Sequence, residues 1–125
     1  MGGMKTNKVT SRVLMLGDNH FHTAKIKIAA NTTLVEGAVL KRGADADTFA
    51  VAAAGDDFAA VNPFEIVNDT AAEKTFSFQA CFDGRVREDM LRVGAATVSV
   101  TDIDKLRKVG ILPMKVTDLS HLDNH

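Results

Sequence analysis

The chain has 125 residues, enough for one core at ~100–200 residues per domain, and its 46% hydrophobic and 25% charged content is that of a folded globular protein. Fifteen basic residues against sixteen acidic ones leave a net charge of −1, which gives no basic footprint for nucleic acid. No apolar run reaches the ~20 residues of a membrane span, and the opening MGGMKTNKVTSR lacks a secretory apolar segment, so neither a membrane nor a secretion route is expected.

In chain order, residues 1–23 read as a flexible N-terminal arm. The stretch to Arg12 is polar and aperiodic, with Lys5, Lys8 and Arg12 and no acid before Asp18. Val13, Leu14, Met15 and Leu16 form a short apolar run able to become a strand, and Gly17-Asp18-Asn19-His20 is rich in turn formers. Ala24, Ile26 and Ile28 then alternate with Lys25 and Lys27, the period of a half-buried strand. Leu34 to Arg42 predicts two short strands, or one broken at Gly37, and Thr48 to Ala54 pairs back as the second arm of a hairpin.

The Ala-rich stretch from Val51 to Val61 is interrupted by Gly55-Asp56-Asp57 and predicts short strands around a turn. Ile66-Val67 runs into the turn cluster Asn68-Asp69-Thr70. The clearest strand follows, in which Phe76, Phe78, Ala80 and Phe82 alternate with Ser77, Gln79 and Cys81; its Phe face belongs to the core, and Asp83-Gly84 is expected to end it. Arg85 to Arg92 reads as a helical turn or a loop. Thr101 or Asp102 caps a short helix with Ile103, Leu106 and Val109 on one face, and Gly110 stops it. Ile111 to Val116 is an edge strand, because Pro113 has no N–H to give a central ladder. With seven or eight short strands and one or two helices, the chain is mainly β: a small compact β-barrel or sandwich-like domain over residues 24–116, followed by a polar tail, 117–125.

Chemistry is sparse. Cys81 is the single cysteine, so no internal disulfide exists, and a structural thiol is the simpler reading than a nucleophile. His20 and His22 lie two apart and would share a strand face, yet no third or fourth metal ligand stands nearby. Asp56-Asp57 and Glu88-Asp89 are adjacent carboxylates, which diverge on a strand and spoil the facing geometry of general acid and base. With no Trp and no Tyr, there is no aromatic platform for bases or sugars. No phosphate loop, dinucleotide fingerprint or nucleophile elbow occurs, so neither an enzyme nor a cofactor is expected. From Gly43 to Glu73 seven acids occur without one Lys or Arg, either as solvated loops or as one pole of an assembling surface.

One stretch has a familiar order: Thr32-Thr33-Leu34-Val35-Glu36-Gly37-Ala38-Val39-Leu40, then Asp56-Asp57-Phe58-Ala59-Ala60-Val61, a strand to Val67, the turn at Asn68 to Ala72, the strand Thr75 to Phe82, and Asp83-Gly84-Arg85-Val86-Arg87-Glu88-Asp89-Met90-Leu91. It resembles the head decoration proteins of tailed bacteriophages, the lambda-like capsid-stabilising family. The resemblance covers Thr32 to Leu91 and is modestly specific, since it rests on order. It implies a compact β domain that stabilises the expanded head shell as a homotrimer, bound to the major capsid protein on the virion surface after assembly in the host cytoplasm. It also implies an N-terminal arm that adds to a shell sheet, which assigns Lys5, Lys8, Arg12, Val13, Leu14, Met15 and Leu16 to shell binding. The alternative is a non-enzymatic β-rich binding module of a phage tail or surface assembly. A small barrel enzyme would require a pocket holding Cys81 beside His20 or His22.

Overall fold

Alternation of apolar and polar side chains dictates strands along most of the chain, and the computed structural model, which describes residues 14–45 and 47–115, arranges them as a closed five-stranded β-barrel. The strands are β1 (Met15–Ile28), β2 (Thr32–Leu34), β3 (Val39–Arg42), β4 (Thr48–Val51), β5 (Ala60–Val61), β6 (Ile66–Asn68), β7 (Lys74–Arg87), β8 (Arg92–Val93), β9 (Ala96–Thr97) and β10 (Ile111–Met114), with one α-helix, α1 (Val100–Lys108), and a 3-10 turn, Glu88–Met90, among the described residues. The barrel order is β1-β4-β3-β5-β7, closed by β7 pairing back onto β1, while β10 extends β7 in parallel. β2 pairs β6 and β8 pairs β9 as separate two-stranded ribbons.

Two long strands carry the architecture. In β1, Ala24, Ile26 and Ile28 are buried while Lys25 and Lys27 are exposed, as the alternation predicts. β7 runs antiparallel to it from Ile28↔Lys74 to Met15↔Val86. The hairpin expected of Thr48 onward is β3–β4, with Leu40↔Val51 and Arg42↔Phe49. Three expected boundaries move. β7 continues through Asp83-Gly84 to Arg87, because β1 and β10 flank it there and satisfy its backbone on both sides. The helix begins at Val100, capped by Ser99 and not by Thr101 or Asp102: the Ser99 hydroxyl accepts from the Asp102 N–H at 3.1 Å, and the Asp102 carboxylate accepts from the Ser99 N–H at 3.0 Å. Of the three residues given one helix face, Leu106 is buried and Ile103 half-buried, but Val109 is exposed.

The third correction concerns the arm. Residues 14–23, assigned by the sequence to a flexible arm of residues 1–23, belong to the barrel, and the compact domain begins there and not at residue 24. The turn formers Gly17, Asp18 and Asn19 make bulges in β1, marked by register shifts between Met15 and Gly17, Gly17 and His20, and His20 and Phe21. Asn19 staples the bulge: its side-chain oxygen accepts from the Gly17 N–H at 2.9 Å, and its Nδ2 donates to the Arg85 carbonyl at 3.1 Å. Gly84, at φ +119, lets the bulge lie this close, because a Cβ there would stand 2.7 Å from the Asn19 Cα. Residues 1–13 and 116–125, which include most of the predicted arm and all of the predicted tail, lie outside the described residues.

Two apolar clusters occupy opposite faces of the same strands. Ala24, Ile26, Ile28, Leu40, Phe49, Ala60 and Ala80 come from all five barrel strands and form one core, against which Phe76, Phe78 and Phe82 pack half-buried. The alternate positions Val39 and Val61, with Val86, Leu91, Leu106, Ile111 and Leu14, form the other. Phe49 meets Phe78 and Phe82 edge-on, at 6.3 and 5.8 Å between ring centres. Asn68 is buried and fully used: Nδ2 donates to the carbonyls of Ile28, Ala29 and Ala72, and Oδ1 accepts from the N–H and hydroxyl of Thr70.

Candidate interface

Leu14 is 1% exposed and sits in the cluster with Val86, Leu91 and Ile111, and its carbonyl accepts from the Arg87 N–H at 2.9 Å. Burying a leucine contributes about 1.5–3 kcal/mol, so this residue is held by the core. Met15 pairs with Val86, and Leu16 is half-buried within β1. Of the seven residues expected to bind the shell, Leu14 is buried in the core, Met15 and Leu16 are half-buried in β1, and Lys5, Lys8, Arg12 and Val13 lie outside the described residues. Met114 also pairs with Arg87, so Leu14 and Met114 meet β7 at the same end.

Of the other candidate groups, His20 and Cys81 both meet Asp83, through its carboxylate and its carbonyl, whereas His22 meets Asp47. His20 Nδ1 lies 3.3 Å from the Asp83 carboxylate, while His22 Nε2 lies 3.2 Å from Asp47 and its ring stacks on Phe82 at 5.4 Å. Among the described residues no group of three His, Cys, Asp or Glu side chains is placed to hold a metal ion. Cys81 is buried, donates to the Asp83 carbonyl at 3.4 Å, and has Asn19 Nδ2 at 3.9 Å; its hydrogen bonds do not run to either histidine. Burial pushes its thiol above the ordinary range, the reverse of what activates a nucleophile.

Each carboxylate pair divides its work. Asp56 accepts from the Ala53 N–H at 2.9 Å and faces Lys41 at 3.3 Å; the backbone bond first, and then Lys41, hold its carboxyl below the usual range. Asp89 accepts from Nε and Nη2 of Arg87, at 3.0 and 2.8 Å. Lys105 reaches from α1 to the Asp56 carbonyl and lies 4.1 Å above the Phe58 ring, so the helix pins the loop between β4 and β5. The seven acids counted between Gly43 and Glu73 are spread over the loops joining β3 to β4, β4 to β5, β5 to β6 and β6 to β7, and two of them meet Lys41 and His22 from other elements.

The feature missed in the sequence is apolar and lies on the β2–β6 ribbon. Leu34 and Ile66 face inward, while Val35, Phe64 and Val67 are 43%, 68% and 52% exposed. Val67 lies in β6, while Val35 follows β2 and Phe64 precedes β6, so three exposed apolar side chains lie in or next to one ribbon. A groove of about 320 Å³ adjoins it, lined by Val35, Glu36, Met90, Arg92, Gly94 and Ala95. The available signal was the doubly apolar pairs Leu34-Val35 and Ile66-Val67, which place hydrophobic side chains on both faces of a short strand. No family model, no curated protein and no solved structure matches the chain.

Proposed function

We propose that the protein is a structural decoration protein of a phage head, which binds the major capsid protein of the expanded shell as a homotrimer and stabilises it without catalysis. The observation that carries this reading is the order of segments from Thr32 to Leu91, which resembles the lambda-like capsid-stabilising family. The segments that carry the resemblance include part of β3 and the whole of β5, and nearly all of β7. Lys5, Lys8 and Arg12 precede the first barrel strand in sequence, and charge of one sign there would raise encounter rate and salt sensitivity.

The test is cosedimentation of the purified protein with expanded empty capsids of a lambda-like phage. Saturable binding to expanded shells, lost when residues 1–13 are deleted and weakened most at low salt when Lys5, Lys8 and Arg12 are reversed in sign, supports the reading. Deletion through Leu16 is not a clean variant, because it also removes the Leu14 core side chain. Absence of binding to expanded shells overturns the proposal and leaves the phage-tail or surface binding module as the reading to pursue.

A further inference from the structure

We infer that the open edge of β7 at Thr75, Ser77 and Gln79 takes an added strand from another protein, an extended segment apolar at every second position and acidic at those between. Lys25 donates its N–H to the Asp47 carbonyl at 2.8 Å, on the β4 side of β1. Its pair with Ser77 is therefore one that exchanges no backbone bonds, and Thr23↔Gln79 and Lys27↔Thr75, two residues to either side, are of the same kind. The N–H and C=O groups of Thr75, Ser77 and Gln79 thus point away from β1. On that side β5 meets β7 at Cys81 and β10 begins at Gly84, and residues 75–79 have no backbone partner there among the described residues. β5 stops at Val61, and Pro63 has no N–H with which to continue its ladder. All three edge residues are exposed.

Unpaired edges invite addition, and chains ordinarily blunt them with charge, proline or a bulge. The open edge of β1 before Phe21 is bulged in this way. Thr75-Phe76-Ser77-Phe78-Gln79 has none of these devices: it is uncharged, free of proline, and in unbroken register with β1. The two faces select the occupant. Side chains of an added strand alternate in step with β7, so half lie beside Phe76 and Phe78, which are half-buried and still present apolar surface. The other half lie on the outer face with Thr75, Ser77 and Gln79, where Lys25 and Lys27 form the next row, exposed and without an ion pair among the described residues. The acids nearby stand off this row: Asp45, in the loop before β4, shares a hollow with both lysines, Glu73 adjoins Lys74 at the start of the strand, and Glu65 lies in the connection out of β5. Backbone bonds to the edge supply affinity, and carboxylates facing the lysine row supply specificity.

The inference goes beyond the reading above and is tested with no shell present, by amide exchange and NMR titration of the full chain. In the free protein the amides of Thr75, Ser77 and Gln79 should exchange faster than those of Phe76 and Phe78. A short blocked peptide alternating valine and glutamate should shift the three outward amides saturably. At about ten times its Kd it should slow their exchange about tenfold, because only the free fraction exchanges. A fully N-methylated form of the peptide, which has no donor, should shift nothing. Ser77→Pro, which removes an outward N–H and no bond to β1, should keep the parent circular dichroism and lose binding. Reversing Lys25→Glu and Lys27→Glu together should turn the preference toward a peptide alternating valine and lysine. Slow exchange of the three amides in the free chain, binding shared by the N-methylated peptide, shifts centred away from β7, or no saturable shift overturns the inference. Protection of the edge that grows with protein concentration also overturns it, since a second copy would then hold the edge.

Discussion

Leu14→Ala should destabilise the barrel as a core substitution does, although the residue lies in what reads as an arm. Leu14 is 1% exposed and packs with Val86, Leu91, Leu106 and Ile111, and the change removes three carbon groups from that cluster. At about 0.8 kcal/mol per buried CH₂ the transfer loss is roughly 2.4 kcal/mol. The cavity adds to this, but residue 14 precedes the first strand and the site can collapse in part, so the total should be about 2.5–3.5 kcal/mol. For a domain of this size about 1 kcal/mol corresponds to about 4 °C, which places the melting temperature about 10 °C below that of the parent. Thermal unfolding by circular dichroism, with a urea titration to confirm an unchanged m-value, reads the effect. Deletion of residues 1–13 is the matched control, since it leaves Leu14 and its neighbours in place. If Leu14→Ala melted within about 2 °C of the parent, the burial argument would fail and the barrel would have to begin further along β1.

Gly37→Ala should cost at least about 2 kcal/mol, since φ is +92 and a Cβ would stand 2.1 Å from the Met90 carbonyl oxygen, whereas Gly55→Ala, also at φ +92 but with open space around it, should cost only about 1 kcal/mol; equal losses in chemical denaturation would refute the steric account. Asn68→Ala should cost about 2–4 kcal/mol by removing the amide donor to the carbonyls of Ile28 and Ala29, the Ala72 carbonyl keeping the Thr70 hydroxyl, and a stability within 0.5 kcal/mol of the parent would count against that role, the threshold being roughly the scatter of neutral surface changes. Asp56→Ala should be destabilising at neutral pH. Because the folded carboxyl lies below its ordinary value of 3.8, this contribution is present above that value and is lost as pH falls through the lowered one, so the two melting curves should converge in acid. A gap that persists unchanged in acid would show that the charge is not its source.

Local pattern sufficed where one face of an element is apolar and the other polar. Ala24, Ile26 and Ile28 against Lys25 and Lys27 fix a strand and its inward face without knowledge of any partner, and the β3–β4 hairpin follows from two such runs around a loop. The Phe stripe of β7 was legible for the same reason. The capping box of α1 was also present in the sequence as Ser99…Asp102, with the helix start moved only because an adjacent polar residue was read as the cap.

Other features are decided by partners remote in sequence. Gly17-Asp18-Asn19 reads as a turn on its own, and it is a bulged strand because β7 lies alongside to take Asn19 onto the Arg85 carbonyl. Asp83-Gly84 reads as a strand end, and it is continuous strand because β1 and β10 bond to both of its sides. For the interface, Val35 and Val67 lie 32 positions apart and only the β2–β6 pairing brings their segments together, just as Val35 meets Met90 and Arg92 only in the groove they line. The sequence by itself determined which residues are apolar at which period, because that depends on each side chain and its nearest neighbours. Closure of the barrel, the end of the arm and the shape of the apolar face belong to the tertiary structure, because backbone pairing and burial are completed only when distant segments meet.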